Sequence, residues 1–111
     1  MRTIKSKRDF ERVFSRGKRA NDRLVRVTAL FGDEGDLGKV AFVAPKRLGN
    51  AVYRNRCKRV LREAARMSGL PQGDSQMILF ATRATYASKP ADVSRALDRL
   101  IARLQKNGKR E

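Results

Sequence analysis

Between Lys46 and Arg66 the chain places eight of its 27 lysines and arginines beside a single acid, Glu63. Lys46 and Arg47 come first, followed by Arg54, Asn55, Arg56, Lys58, Arg59, Arg62 and Arg66. Cations at this density bind phosphate, and a guanidinium does so through in-plane donors that match two oxygens at once. Histidine is absent, which removes His-based acid/base catalysis, His-activated nucleophiles and the usual zinc sites. The acidic run Gly32–Gly38 carries Asp33, Glu34 and Asp36, which could be read as a metal loop or, with less required of them, as solvated turn residues. Cys57 is the one cysteine, too few for an internal disulfide and suited to a reducing cytoplasm.

A helix must carry the cations. From about Ala51, Tyr53, Cys57, Val60, Leu61, Ala64 and Ala65 recur at helical spacing and form one apolar stripe. At roughly 100° per residue, Arg54, Asn55, Lys58, Arg59, Arg62 and Arg66 fall on the opposite arc, with Arg56 toward a flank beside Glu63. Gly49-Asn50 is a turn signal, and Asn50 is placed to cap the helix. Cys57 lies on the apolar stripe and reads as a small core residue.

Such a helix is poorly built for stability. Positive charge in the first turns opposes the macrodipole, and the i, i+4 series Arg54, Lys58, Arg62, Arg66 repels itself by a few tenths of a kcal/mol per pair. A merely solvated face interleaves Glu with its cations, which this one does not. A polyanion site is the better account.

The whole composition points the same way. A chain of 111 residues with 41% apolar content supports one domain, residues 1–111, with a modest core. Its net charge of +16 exceeds what solubility requires and destabilises the compact state, so a polyanionic partner explains it best. Net charge by segment is +6 for 1–23, −1 for 24–45, +7 for 46–66, −1 for 67–82 and +5 for 83–111. No apolar run is long enough to span a membrane, and Met1-Arg2-Thr3-Ile4-Lys5 is no secretory h-region. Cytoplasmic localisation and an absence of membrane partners are the expectation.

The remaining elements follow from period and punctuation. Ser6-Lys7-Arg8-Asp9 has capping-box spacing and opens a short helix that should stop at Gly17, with Phe10, Val13 and Phe14 on its apolar face. Leu24 to Phe31 alternates as a strand, with Leu24, Arg26, Thr28 and Leu30 on one side. Lys39 to Ala44 is apolar enough to be a central strand and is ended by Pro45. A third strand is expected over Met77 to Ala84 after the loop Ser68–Asp74. Pro90 and Asp92 open the last helix, whose stripe is Val93, Ala96, Leu97, Leu100, Ile101 and Leu104. Its outer Arg95, Arg99, Arg103 and Lys106 are offset by Asp92 and Asp98, as in an ordinary solvated face. Gly108 should end that helix, leaving Lys109–Glu111 frayed. Helix, strand, strand, basic helix, strand, helix, with a short extra strand over residues 18–21, describes an α+β fold: a two-layer α/β sandwich with a βαβ crossover carrying the basic helix.

Lys46-Arg47-x-Gly-Asn-Ala-Val-x-Arg54-Asn55-Arg56-x-Lys58-Arg59-x-x-Arg62-Glu63 strongly resembles the motif of the bacterial ribonuclease P protein subunit. The resemblance implies a left-handed crossover, against the general right-handed rule. It implies a ribonucleoprotein endonuclease that removes the 5′ leader from precursor tRNA, in which RNA does the catalysis and holds most of the Mg²⁺. The protein itself would have no catalytic residue and hold no metal alone, and no DNA partner is expected. Lys46, Arg47, Arg54, Asn55, Arg56, Lys58, Arg59, Arg62 and Arg66 would meet the catalytic RNA. Phe10, Phe14, Thr28 and Arg83 would line a cleft for the leader. Two phenylalanines at i, i+4 also commonly pack into a core. An aromatic common in the family at or near Thr28 is missing here. Two rivals share parts of this pattern: a structural ribosomal-type RNA-binding protein, and a metal nuclease using Asp33, Glu34 and Asp36.

Overall fold

The computed structural model describes residues 1–32 and 38–108; Asp33, Glu34 and Asp36 of the acidic turn, and the tail 109–111, lie outside the described residues. Helix α1 (Lys7–Arg16) is followed by strands β1 (Lys18–Asn21), β2 (Val25–Leu30) and β3 (Lys39–Val43). A 3₁₀ turn (Lys46–Leu48), helix α2 (Ala51–Met67), strand β4 (Gln76–Ala81) and helix α3 (Pro90–Gly108) complete it. The expected mixed α+β architecture is present, including the short strand over residues 18–21.

The four strands form one sheet in the order β1-β2-β4-β3, antiparallel except for the parallel pair β3/β4. That pair is joined through α2, so the basic helix is the crossover of a βαβ unit. Period-2 alternation sends the two sheet faces to different cores. Val25, Val27, Ala29, Val40, Met77, Leu79 and Ala81 pack under α2 and α3 in the larger core. On the other face Val13, Ala41 and Ile78 are buried, with Ile4, Phe10, Leu30, Val43 and Phe80 against them, and α1 covers this smaller cluster.

β3 is an edge strand, not a central one; β2 and β4 are the inner strands. The apolar run at 39–44 reflects burial on both faces of an edge strand, whose outer edge is met by the N-terminal segment. Ile4 N–H donates to Val40 O at 3.0 Å and Val40 N–H to Arg2 O at 3.1 Å. β4 also ends at Ala81 rather than Ala84, because Thr82 and Thr85 divert the chain. Thr82 N–H donates to Thr85 Oγ1 at 2.8 Å, and Thr85 Oγ1 donates to Leu24 O at 2.7 Å.

Ser6 Oγ caps α1 by accepting from Asp9 N–H, and Gly17 N–H closes its end on Val13 O at 2.8 Å. Glycine is required there by space. A Cβ at Gly17 would lie 2.5 Å from Val13 O, 2.9 Å from Thr28 Cγ2 and 3.0 Å from Ala29 O. This close approach lays the end of α1 on β2 and leaves the neighbouring sheet surface uncovered.

Candidate nucleic-acid interface

Asn50 caps α2, accepting from Tyr53 N–H at 2.9 Å. Cys57, Val60, Leu61, Ala64 and Ala65 are buried as the apolar stripe requires. Burial pushes the Cys57 thiol above its ordinary pKa despite nearby Arg56, keeping it protonated. Asn55, Arg56, Arg59, Arg62 and Arg66 are exposed, and Arg54 and Lys58 are half-buried.

The charge balance of this face is one-sided. Arg66 pairs with Glu63, and the hydrogen bond holds the Glu63 carboxyl below its usual value. Among the described residues, no carboxylate reaches ion-pair distance of Arg54, Lys58, Arg59 or Arg62. Arg62 lies over the Phe42 ring, 5.2 Å from its centroid. Arg54 Nε is shielded from water without a hydrogen-bond partner. A donor left so costs the free protein about 1 kcal/mol or more, and with the unrelieved repulsion it marks a face not optimised for its own stability.

A second concave surface lies on the sheet face beside α1. It is a groove of about 440 Å³ lined by Phe14, Arg19, Asn21, Arg26, Val27, Thr28, Val43, Pro45, Arg47, Phe80 and Ala81. The sheet register explains the set: Arg19 faces Thr28, Asn21 faces Arg26, Arg26 faces Phe80 and Val43 faces Phe80. Phe14 is 43% exposed. Its ring stacks on Phe10 at 6.3 Å and 12° and meets Phe80 edge-on at 6.1 Å. Arg19 covers it, with the guanidinium 4.5 Å from the ring centroid and Nη2 donating to Phe14 O at 3.0 Å.

The structure redistributes the residues expected from sequence. Phe14 and Thr28 do share the groove, but Thr28 is 2% exposed beneath Gly17 and offers it almost no surface. Phe10 is half-buried, outside the lining, and supports Phe14 from the core side. Arg83 is an exposed turn residue outside the lining, because β4 ends two residues earlier. Arg47, grouped by sequence with the helix, lines the groove instead, while Lys46 is exposed in the same 3₁₀ turn. Sequence reasoning missed Arg19, Asn21, Arg26 and Phe80. The alternation that put Arg26 and Thr28 on one strand side could have found them once the pairing of 18–21 with β2 was drawn.

Tyr86 was also passed over. Its ring stacks on Tyr53 at 4.1 Å and 7°, and the Arg56 guanidinium lies 4.9 Å from its centroid. Among the described residues no three Asp, Glu, Cys or His side chains are grouped to hold a metal ion, and no helix is long and apolar enough to cross a membrane.

Fold and site together define a small mixed α+β protein with a cationic crossover helix and a basic, aromatic groove on the opposite sheet face. The family model described as Ribonuclease P matches residues 1–105, and the chain belongs to the ribonuclease P protein family. It is similar to the ribonuclease P protein component of Dehalococcoides mccartyi, 42% identical over 71 residues, 63% of this chain and 58% of that protein's length. With the same component from Syntrophus aciditrophicus it shares 30% identity over 105 residues, 94% of this chain and 87% of the relative. The solved Staphylococcus aureus RNase P protein superposes with a TM-score of 0.75 at 25% identity, covering 94% of this chain and 97% of that one.

Proposed function

We propose that this chain is the RNA-binding protein subunit of a cytoplasmic ribonuclease P ribonucleoprotein that removes the 5′ leader from precursor tRNA. The outer arc of α2, with Arg54, Asn55, Arg56, Lys58, Arg59, Arg62 and Arg66, grips the catalytic RNA through its phosphates. A-form grooves hide base edges from side chains, so this grip depends on RNA shape more than sequence. The groove takes the single-stranded leader. The Arg19 guanidinium lying over the Phe14 ring makes with it a flat platform for a base, worth roughly 1–3 kcal/mol per stacked base, and Arg26 and Arg47 meet the backbone.

Catalysis and its Mg²⁺ belong to the RNA in this reading. The chain's share is to hold the leader and to lower the phosphate repulsion that opposes close packing of two RNAs. Family membership supports the assignment, and the observation that carries it is the arc Arg54, Lys58, Arg59, Arg62, which no described carboxylate neutralises.

Cleavage of precursor tRNA, measured with and without a bacterial ribonuclease P RNA, tests the proposal: cleavage should require the RNA, and cleavage by the polypeptide alone overturns it. If about six phosphates are engaged, log affinity should fall against log salt with a slope near −5. The reconstituted complex should also prefer precursor over mature tRNA; equal binding would favour a structural RNA-binding protein.

A further inference from the structure

Tyr86 stands in the turn between β4 and α3 and is joined to Arg56 of α2 by two contacts. Its main-chain oxygen accepts from Arg56 Nε at 3.1 Å, and its ring lies 4.9 Å from the guanidinium carbon. The ring is itself held, stacked at 4.1 Å on Tyr53 from the first turn of α2. The turn beneath is anchored to the β1–β2 connection. Thr85 is fully buried and bonded to Leu24 O, and Thr82 Oγ1 donates to Arg23 O at 2.6 Å.

This arrangement changes what Arg56 can do. Most surface arginines sample many rotamers and lose that freedom when they bind, which weakens the contact. Arg56 has already lost much of it. Its Nε–H is committed to Tyr86 O, so the fork is oriented while the donors on Nη1 and Nη2 carry no partner among the described residues. Paired in-plane donors on an exposed side chain match two oxygens of one phosphodiester.

We propose that Tyr86 is a positioning residue for RNA binding, holding the Arg56 guanidinium ready for a backbone phosphate of the structured RNA. The inference rests on α2 being the RNA-binding face. It makes the turn after β4 part of that interface without any contact of its own to RNA.

The test is the affinity for bacterial ribonuclease P RNA across a salt series, for wild type, Tyr86→Phe, Tyr86→Ala, Arg56→Ala and the double variant Tyr86→Ala/Arg56→Ala. Tyr86→Phe keeps the ring and should bind within about twofold of wild type. Tyr86→Ala leaves the main-chain acceptor in place and removes the ring that holds the guanidinium plane; it should bind about fivefold more weakly at an unchanged salt slope, since no charge is removed. Arg56→Ala should bind about tenfold more weakly with the slope shallower by about 1. The double variant should match Arg56→Ala. A Tyr86→Ala chain that binds like wild type overturns the inference. So does a double variant weaker than Arg56→Ala by the full Tyr86 loss, the result expected if Tyr86 contacts RNA itself or merely supports the fold. Failure of the wild-type chain to bind the RNA at all defeats the functional reading instead.

Discussion

α2 and α3 are both amphipathic and both carry arginine on their outer faces, yet the two faces differ in how far carboxylates meet their charge. Their inner faces are alike: Leu61 and Leu97 are both fully buried, in the same core. Outside, α3 has partners for two of its four outward cations among the described residues, Arg95 with Asp92 and Arg99 with Asp22 at 3.3 Å, and carries Asp98 as well. α2 offers Glu63 to Arg66 and, among the described residues, no carboxylate to the five cations ahead of it. Amphipathicity and arginine content therefore do not separate a binding helix from a packing helix. What differs between these two helices is the supply of carboxylates.

The largest effect should come from neutralising each face in turn. Replacing Arg54, Arg59 and Arg62 together by Gln should weaken binding to ribonuclease P RNA about a hundredfold and make the salt slope shallower by about 3. Replacing Arg95, Arg99 and Arg103 by Gln should cost about threefold at most, through the long-range field. Thermal melts should move in opposite directions. The α2 variant sheds like-charge repulsion and should gain a few tenths of a kcal/mol, whereas the α3 variant loses ion pairs of similar size. Equal losses of affinity from the two triples would erase the distinction.

The contrast was legible in sequence to the extent that it is helical. Period, cap and charge count placed the α2 stripe and the Asn50 cap, because i, i+4 neighbours are fixed by local geometry. The groove was not legible to the same degree, because it is made by strand pairing. Arg19 reaches it only through its register opposite Thr28, and Arg47 only because the 3₁₀ turn after Pro45 brings it there. That Arg83 lies outside the groove lining was hidden for a related reason: the side-chain bonds of Thr82 and Thr85 that end β4 leave no mark in hydropathy. The burial of Thr28 was hidden for a packing reason, since Gly17 at the end of α1 lies directly over it.

A smaller effect tests the satisfied side. Asp22 Oδ1 accepts from Leu24 N–H at 2.9 Å and Oδ2 lies 3.3 Å from Arg99, so the backbone bond first and Arg99 after it hold this carboxyl below its ordinary pKa. A depressed folded pKa gives stability that is present above the unfolded value and is lost as pH falls through the folded one. Asp22→Asn keeps an acceptor for Leu24 and removes the charge. It should therefore destabilise the fold by roughly 0.5–1 kcal/mol at pH 7, and the gap from wild type should close from about pH 4 downward. Denaturant melts at pH 7 and pH 2.5 read this; a gap that persists at low pH would mean the charge of Asp22 is not what stabilises. RNA affinity at neutral pH should be unchanged.

The smallest effect probes the one acid on α2. Glu63 occupies Arg66 in the free protein, so under the proposed function RNA would either displace that carboxylate or leave Arg66 out of the contact. In Glu63→Gln the competitor's charge is gone and so is its repulsion toward phosphate. Affinity for the RNA should rise about twofold at low salt, with the gain fading as salt screens it. A fall in affinity would give Glu63 a different part, that of aiming Arg66 at its phosphate as Tyr86 aims Arg56, and α2 would then carry an acid for precision where α3 carries acids for stability.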